Sequence, residues 1–596
     1  MSFWDLLFLA AGGVIGSGWL FAGTGLDAAA GTWGSLGSWL IGGLLIVVVT
    51  AVMVEVSTKV PKTGGLIFLP LQTSGPLFAT LVAACVWGFY AANPAGESTA
   101  MVQHVAAWGQ WPSLFDTARN EPTWAGIGLG VVFLVLTTAP NLLKPRRFLV
   151  VNNVLTAFKI FVPVLVVFLL GCALIWPPAH PLRFPQGASP GAGSLTSALT
   201  AIVSGGVFYA YLGFQGPLDF AGNVRGGGIG EAARLRRAVF GTVIGSILLY
   251  TALQGVIIYL RYHSTGTVDD ASSVYTEFAG AVVRPGWLAS FVTGLINLDS
   301  VVSPAGTAMV FTYVLTREVA ALSRAHLTHR GLQRSKNSII RLPEGFLRAV
   351  FDDDRIDVYW RILLVDFAIS LIMLLFTRGY WSDIENIPTI LALLVYATPG
   401  IALAALRQRQ PDLFPKRRYA LMAPVSFAAL AVVFVVATGG FVLWGMGTLA
   451  IFCLVLFGLP VVAPMARWYD ARAHVREFGE LRTNTGAQLA GILGGYFGLL
   501  TVAEVVRNVW PSRAGKGWDI VGLAVVVAIS VIAFRWLVRL SVKYMALPNP
   551  PPLLPKPLAQ PVKPAQPAQS AQSAQSAQSA QSAQPARQDG ATGAGS

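Results

Sequence analysis

This sequence is short of charge. Asp, Glu, Lys and Arg make up only 12% of its 596 residues, about half the share of a soluble globular chain. Too few ionic groups remain to clothe a water-exposed surface, which excludes an ordinary soluble globule. Cysteine is nearly absent. Cys85, Cys172 and Cys453 each lie alone in an apolar stretch, which excludes a disulfide framework or a CxxC metal pair. The six histidines fall almost wholly in loops, none with a second ligand at helical spacing, so no metal is expected. Nor does a basic segment or small-residue cleavage site precede the first apolar run. That run reads as a retained span and not a signal peptide.

What the chain has in abundance is apolar length. It is 54% hydrophobic, with a mean hydropathy of +0.61, and apolar runs of about 20 residues, enough to cross a bilayer, recur from end to end. Fourteen spans are expected, near 3–27, 33–57, 77–107, 124–143, 148–176, 197–222, 237–260, 286–316, 359–378, 386–406, 421–442, 444–466, 487–507 and 518–541. With the amino terminus inside, the inner loops hold 27 Lys and Arg against 8 outside. That asymmetry is the positive-inside rule, and it makes both termini cytoplasmic. The net charge of +14 thus belongs to topology and anionic lipid, not to nucleic acid. From 547 to 596 a Pro-rich stretch runs into repeated AQS, a composition that cannot bury a core and is expected as a disordered tail. The 320–357 loop is long enough for a short surface helix.

One segment breaks its own pattern. "GGVIGSGWLFAG", Gly12 to Gly23, carries five glycines inside an apolar run, each costing a helix interior about 1 kcal/mol relative to alanine. A second glycine-interrupted segment, "SGGVFYAYLGFQG" from Ser204 to Gly216, lies within span 6. If spans 1–5 and 6–10 are two halves, the interruptions fall at matching places in halves of inverted topology, which points to a transporter's central site. Unwinding at Gly16-Ser17-Gly18 would leave amides and a helix N-terminus suited to a carboxylate. A break around Leu212-Gly213-Phe214 would free carbonyls for an ammonium, so the pair suits a zwitterion. Close packing of helices through small residues is the competing reading.

Lys159 lies eleven residues past Phe148, about 16 Å into the bilayer. A charged lysine at the centre of a span costs about 2.5–3.5 kcal/mol, so it either meets carbonyls or sheds its proton. Able to do both, it would be a proton switch. Among the other intramembrane acids, Glu97 and Asp299 are kept as second-rank functional candidates. Glu55, Asp219 and Asp366 read as structural partners, and Asp27, Asp269 and Asp270 as solvated loop charges.

"GGVIGSGWLFAG", "VEVSTKVPKTGG" at 54–65, "NNVLTAFK" at 152–159, "AYLGFQGPLDFAG" at 210–222 and "SPAGT" at 303–307 together resemble the amino acid–polyamine–organocation transporters. The likeness is nearest to the bacterial permeases of aspartate–proton symporter type. It covers roughly residues 1–470, with the spans of 471–546 similar to an extra pair in some members. The resemblance implies an all-α polytopic membrane protein with a LeuT-like 5+5 inverted repeat, 3–176 against 197–406, followed by spans 11 and 12 in 421–466. It also implies a secondary transporter of the inner membrane, not an enzyme, that takes up an amino acid with protons and uses no cofactor. Carried over by motif, the substrate carboxylate would meet Gly16, Ser17 and Gly18. Its ammonium would meet the carbonyls of Val14, Tyr209 and Leu212. Tyr209, Tyr211, Gly213, Phe214 and Gln215 would form the closing side of the pocket. Lys159 would bridge the Gly12 and Ile15 carbonyls to span 8 at Ser303, holding the two together when protonated. Gln215 departs from the arginine of the aspartate type, and a neutral amide cannot neutralise an acidic side chain. An exchanger or uniporter of the same fold and a non-transporting nutrient sensor are the alternatives.

Overall fold

The computed structural model describes residues 1–547 apart from 109–110, 117–118, 120, 144, 177, 179, 186–192, 222–228, 269–273, 326, 329–331, 333–358, 378–380, 438, 459–481 and 510–514. The expected tail beyond 547, most of the 320–357 loop, the end of span 12, Asp269 and Asp270 lie outside the described residues.

The chain is a multi-pass helical protein. Helix α1 (Phe3–Val14) starts at a capping box, in which the Ser2 hydroxyl accepts from the Asp5 amide at 3.1 Å and the Asp5 carboxylate from the Ser2 amide at 2.7 Å. Helix α2 (Gly18–Lys59) follows after a three-residue gap. Next come α3 (Gly65–Ser74), α4 (Pro76–Ala107), α5 (Trp124–Thr138) and α6 (Pro145–Ile175). The segment expected as span 6 is three short helices: α7 (Leu195–Ser204), α8 (Val207–Ala210) and α9 (Gly216–Asp219). Beyond it lie α10 (Ile229–His263), α11 (Val274–Val282), α12 (Gly286–Arg324), α13 (Trp360–Phe376) and α14 (Trp381–Arg409). The last described helices are α15 (Arg418–Val436), α16 (Gly439–Cys453), α17 (Thr485–Val509) and α18 (Gly515–Tyr544).

Among the described residues ten helices are long and apolar enough to cross a membrane, against the fourteen expected. The difference has local causes. Spans 1 and 6 are interrupted, α13 has only 17 residues, and α16 passes into a π-helical turn at Leu454–Gly458. Expected spans 1 and 2 are also not separated by a loop. They meet inside α2 at Gly31, whose φ of 69° and ψ of 178° break the helical path in one residue, a conformation that glycine alone adopts cheaply.

Two short strand pairs were not anticipated. β1 (Phe115–Asp116) pairs antiparallel with β2 (Glu121–Pro122). β3 (Leu182–Pro185) pairs parallel with β4 (Ser264–Val268), joining the chain after α6 to the chain after α10.

Burial separates inner helices from outer ones. The spanning window of α14 is 94% buried and that of α4 is 89%, against 33% for α6 and 22% for α18. The core is therefore built on α4 and α14, while α6 and α18 turn most of their surface outward. On α6 the buried positions Phe148, Asn152, Thr156, Lys159, Val162 and Val166 recur every three or four residues, which is one helical face. Lys159 points inward because it sits on that stripe. On α12, Asp299, Ser303 and Thr307 are spaced i, i+4, i+8 and all buried, so they share a face too. Asp27, expected as a solvated loop charge, is instead 1% exposed and ion-paired with Arg261 of α10.

Candidate functional site

The two interrupted segments cross in direct contact. At the first, Ile15 leaves the helix with extended backbone (φ −82°, ψ 95°). At the second, Gly213 sits at φ 109°, a left-handed conformation that requires glycine. A Cβ placed on Gly13 would lie 2.9 Å from the Gly213 carbonyl oxygen, and one on Gly18 would lie 2.8 Å from Ala210 Cα. The glycines therefore serve two ends. They let each helix stop, and they let the two backbones touch.

Around this crossing are three polar clusters. In the first, the Lys159 ammonium donates to the Gly12 carbonyl at 2.7 Å and to the Thr307 hydroxyl at 3.0 Å. That hydroxyl in turn donates between the carbonyls of Gly12 and Ile15, at 3.1 and 3.0 Å. Lys159 thus links α6 to the frayed end of α1 and to α12. Ser303, the α12 residue expected to meet Lys159, donates instead to Asp299 Oδ2 at 2.9 Å. Thr307, one turn further along, takes that place. The signal was present, since "SPAGT" puts Ser303 and Thr307 on one face.

The second cluster is centred on Glu97 of α4, which is 1% exposed. Its Oε2 accepts from the Ser17 amide at 3.0 Å and its Oε1 from the Tyr209 hydroxyl at 2.8 Å. Asn93, one turn earlier, donates to that same hydroxyl at 3.0 Å. The carboxylate so joins the start of α2 to α8, one element from each interrupted segment. It also occupies an amide of the stretch assigned from sequence to the substrate carboxylate. A Cβ on Gly16 would lie 2.8 Å from both Glu97 Oε1 and Thr307 Oγ1, so only a glycine separates the first cluster from the second. Glu97 and Asp299 are the acids whose fields reach the Lys159 ammonium.

The third cluster surrounds Gln215. Its Oε1 accepts from the Gly213 amide at 3.0 Å and from the Tyr396 hydroxyl at 2.7 Å. Its Nε2 donates to the Tyr90 hydroxyl at 3.0 Å, which donates on to Asp219 at 2.8 Å. The side chain caps the unwound turn.

The other residues singled out from sequence fall as follows. The Val14 carbonyl accepts from the Tyr250 hydroxyl at 3.0 Å, and the Tyr209 carbonyl from the Leu212 amide at 3.0 Å. Tyr211 turns away, donating to the Trp39 carbonyl at 3.2 Å. Phe214 is fully buried, its ring 5.4 Å from that of Tyr396. Sequence reasoning missed Thr307, Tyr250, Asn93, Tyr90 and Tyr396. The last four carry no local signal, because a tyrosine or asparagine in an apolar run declares its partner only once the helices pack.

An amine held by a carbonyl and a hydroxyl, beside a carboxylate held by an amide and a hydroxyl, is an arrangement that can exchange protons and take a zwitterion. A family model for amino acid permeases matches residues 1–466. The aspartate-proton symporter of Bacillus subtilis (strain 168) is 27% identical over 465 residues, 76% of this chain and 82% of that protein. The glutamate/serine transporter AimA of the same organism is 24% identical over 552 residues, 90% of this chain and 93% of that protein.

Proposed function

Starting from the family match, by which the chain belongs to the amino acid permeases and is a transporter and not an enzyme, we propose that it takes up an amino acid across the cytoplasmic membrane by proton symport, with Lys159 as the coupling group. The observation that carries this reading is the Lys159 ammonium bonded to the Gly12 carbonyl at 2.7 Å, at the point where α1 ends. A protonated amine there stabilises the Gly12 carbonyl and, through the Thr307 hydroxyl, links α6, α1 and α12. A neutral amine is a far weaker donor, so loss of the proton loosens the hold of α6 on α1 and α12, and Thr307 alone is left to tie α12 to α1. The substrate carboxylate would bind at Gly16, Ser17 and Gly18, where the amides of a helix start favour an anion. Its ammonium would bind the carbonyls of Val14, Tyr209 and Leu212.

The wider architecture in this reading is the 5+5 inverted repeat with about fourteen crossings, both termini cytoplasmic and alternating access about the two interrupted helices. The match over residues 1–466 and the gaps at 15–17 and 205–206 support it. A neutral substrate fits better than an acidic one. Gln215 spends both amide atoms on Gly213, Tyr396 and Tyr90 and offers no cation to an acidic side chain.

The test is uptake into liposomes holding the purified protein. An inward proton gradient should accelerate entry of at least one standard amino acid, without sodium. Sodium-dependent uptake indifferent to pH would contradict the coupling, and saturable binding without flux would point to a sensor.

A further inference from the structure

The substrate carboxylate assigned above to the start of α2 meets a rival already in place. The Ser17 amide is 3.0 Å from Glu97 Oε2, and one N–H cannot serve two carboxylates. Glu97 belongs to α4, one of the two most buried spanning helices among the described residues, and reaches across to hold Ser17, at the start of α2, and Tyr209 of α8 in one grip. Gly16 leaves just enough room for it, since any side chain there would strike Oε1. From this geometry we infer that Glu97 is a tethered stand-in for the substrate carboxylate, which must yield the Ser17 amide when an amino acid binds.

The exchange has a definite proton balance. The hydrogen bond from Ser17 N–H to Glu97 breaks, and one from the same N–H to the substrate carboxylate forms. An amino acid zwitterion brings no net charge. Glu97, once parted from its donor, is a buried carboxylate, which is costly unless paired. The titratable groups that face it are Lys159 of α6, Tyr209 of α8 and Tyr250 of α10, with the carboxyl of Glu385 on α14. A second acid and two hydroxyls do not neutralise an anion, and the Lys159 ammonium, though its field reaches Glu97, directs its hydrogen bonds to Gly12 and Thr307 and not to the carboxylate. Glu97 therefore binds a proton from water as it lets go. Substrate binding takes up a proton at Glu97, separate from the one that Lys159 carries.

This inference rests on the transport reading, and one experiment separates their failures. Purified full-length wild type, Glu97→Gln and Tyr209→Phe are titrated with each of the twenty standard amino acids in weakly buffered detergent solution, following both thermal stability and pH. A ligand bound by the native state raises apparent stability. Amino acids that stabilise the wild type should stabilise Glu97→Gln at about tenfold lower concentration, since a neutral amide holds the Ser17 N–H less strongly than a carboxylate. The variant should also take up about one proton fewer per substrate bound. Tyr209→Phe, which loosens Glu97 without discharging it, should bind tighter while keeping the proton, and it decides the matter if Glu97→Gln does not fold. Weaker binding in both variants would make Glu97 a direct ligand and overturn the proposal. Unchanged affinity and proton count would make it structural only, with the same result. If no amino acid stabilises the wild type or either variant, the transport reading falls first.

Discussion

The Lys159 ammonium donates to the Gly12 carbonyl at 2.7 Å, fastening the middle of α6 to the last turn of α1. Its second partner is Thr307, whose hydroxyl also reaches the carbonyls of Gly12 and Ile15. The consequence is an ordering of two neighbours on α12. Thr307→Val keeps the shape and removes the hydroxyl, leaving Ile15 unpaired and Lys159 with one partner, a loss on the order of 1–3 kcal/mol. Thermal unfolding in detergent should register it, together with weaker gradient-driven uptake. Ser303→Ala breaks only the bond to Asp299 and should be milder on both counts. Equal effects would mean that the bridge to Lys159 does not matter.

The interrupted helices make a second contrast, among glycines. Gly16→Ala puts a methyl 2.8 Å from both Glu97 Oε1 and Thr307 Oγ1, prising the two clusters apart. Such overpacking costs about 1–3 kcal/mol, and uptake should fall well beyond what the stability loss explains. Gly171→Ala on α6 meets nothing within 4 Å and should be neutral or stabilising by up to about 1 kcal/mol. Comparing unfolding temperatures and uptake rates of the two variants checks it.

Asp27 and Arg261 supply a stability test away from the central clusters. Both side chains are buried, at 0% and 7% exposure. Removing one partner strands the other, typically a loss of about 3–5 kcal/mol. Arg261→Met should therefore lower the unfolding temperature sharply, and the double variant Asp27→Leu with Arg261→Met should recover much of the loss. A double variant no better than the single one would deny that the buried charge is the cause.

How much of this could be read in advance follows from range. The helix breaks were legible because glycine clusters are local signals: "GSG" and "LGF" mark the places where α1 stops and α8 gives way to turns. Lys159 stood out because a cation eleven residues into an apolar run is anomalous by composition alone. Its α12 partner was misplaced by one turn, from Thr307 to Ser303, since spacing gives a face but not a depth. Asp27 read as a loop charge because its partner Arg261 is 234 residues away. The prominence of Glu97 was hidden for the same reason. Its two donors, Ser17 and Tyr209, lie 80 and 112 residues distant, and nothing in "NPAGESTA" points to either. Nor did sequence show that α2 would run through Gly31, because one residue in an unusual conformation suffices where a loop was expected.

Gln215 tests whether the unwound turn is held or merely present. Gln215→Leu leaves the Gly213 amide and the Tyr396 hydroxyl without their acceptor, and the Tyr90 hydroxyl with Asp219 alone, each donor so stranded costing about 1–3 kcal/mol. Lower thermal stability and loss of uptake are the expected outcome. Stability equal to the wild type would show that the turn closes without the amide.

The central claim is that a proton on Lys159 couples the gradient to transport. The direct measurement compares wild type and Lys159→Ala in liposomes, following amino acid entry with and without an inward proton gradient and, separately, exchange between equal concentrations on both sides. The gradient should accelerate entry through the wild type and have no effect on the variant, while some exchange persists. Gradient-accelerated entry through Lys159→Ala would contradict it.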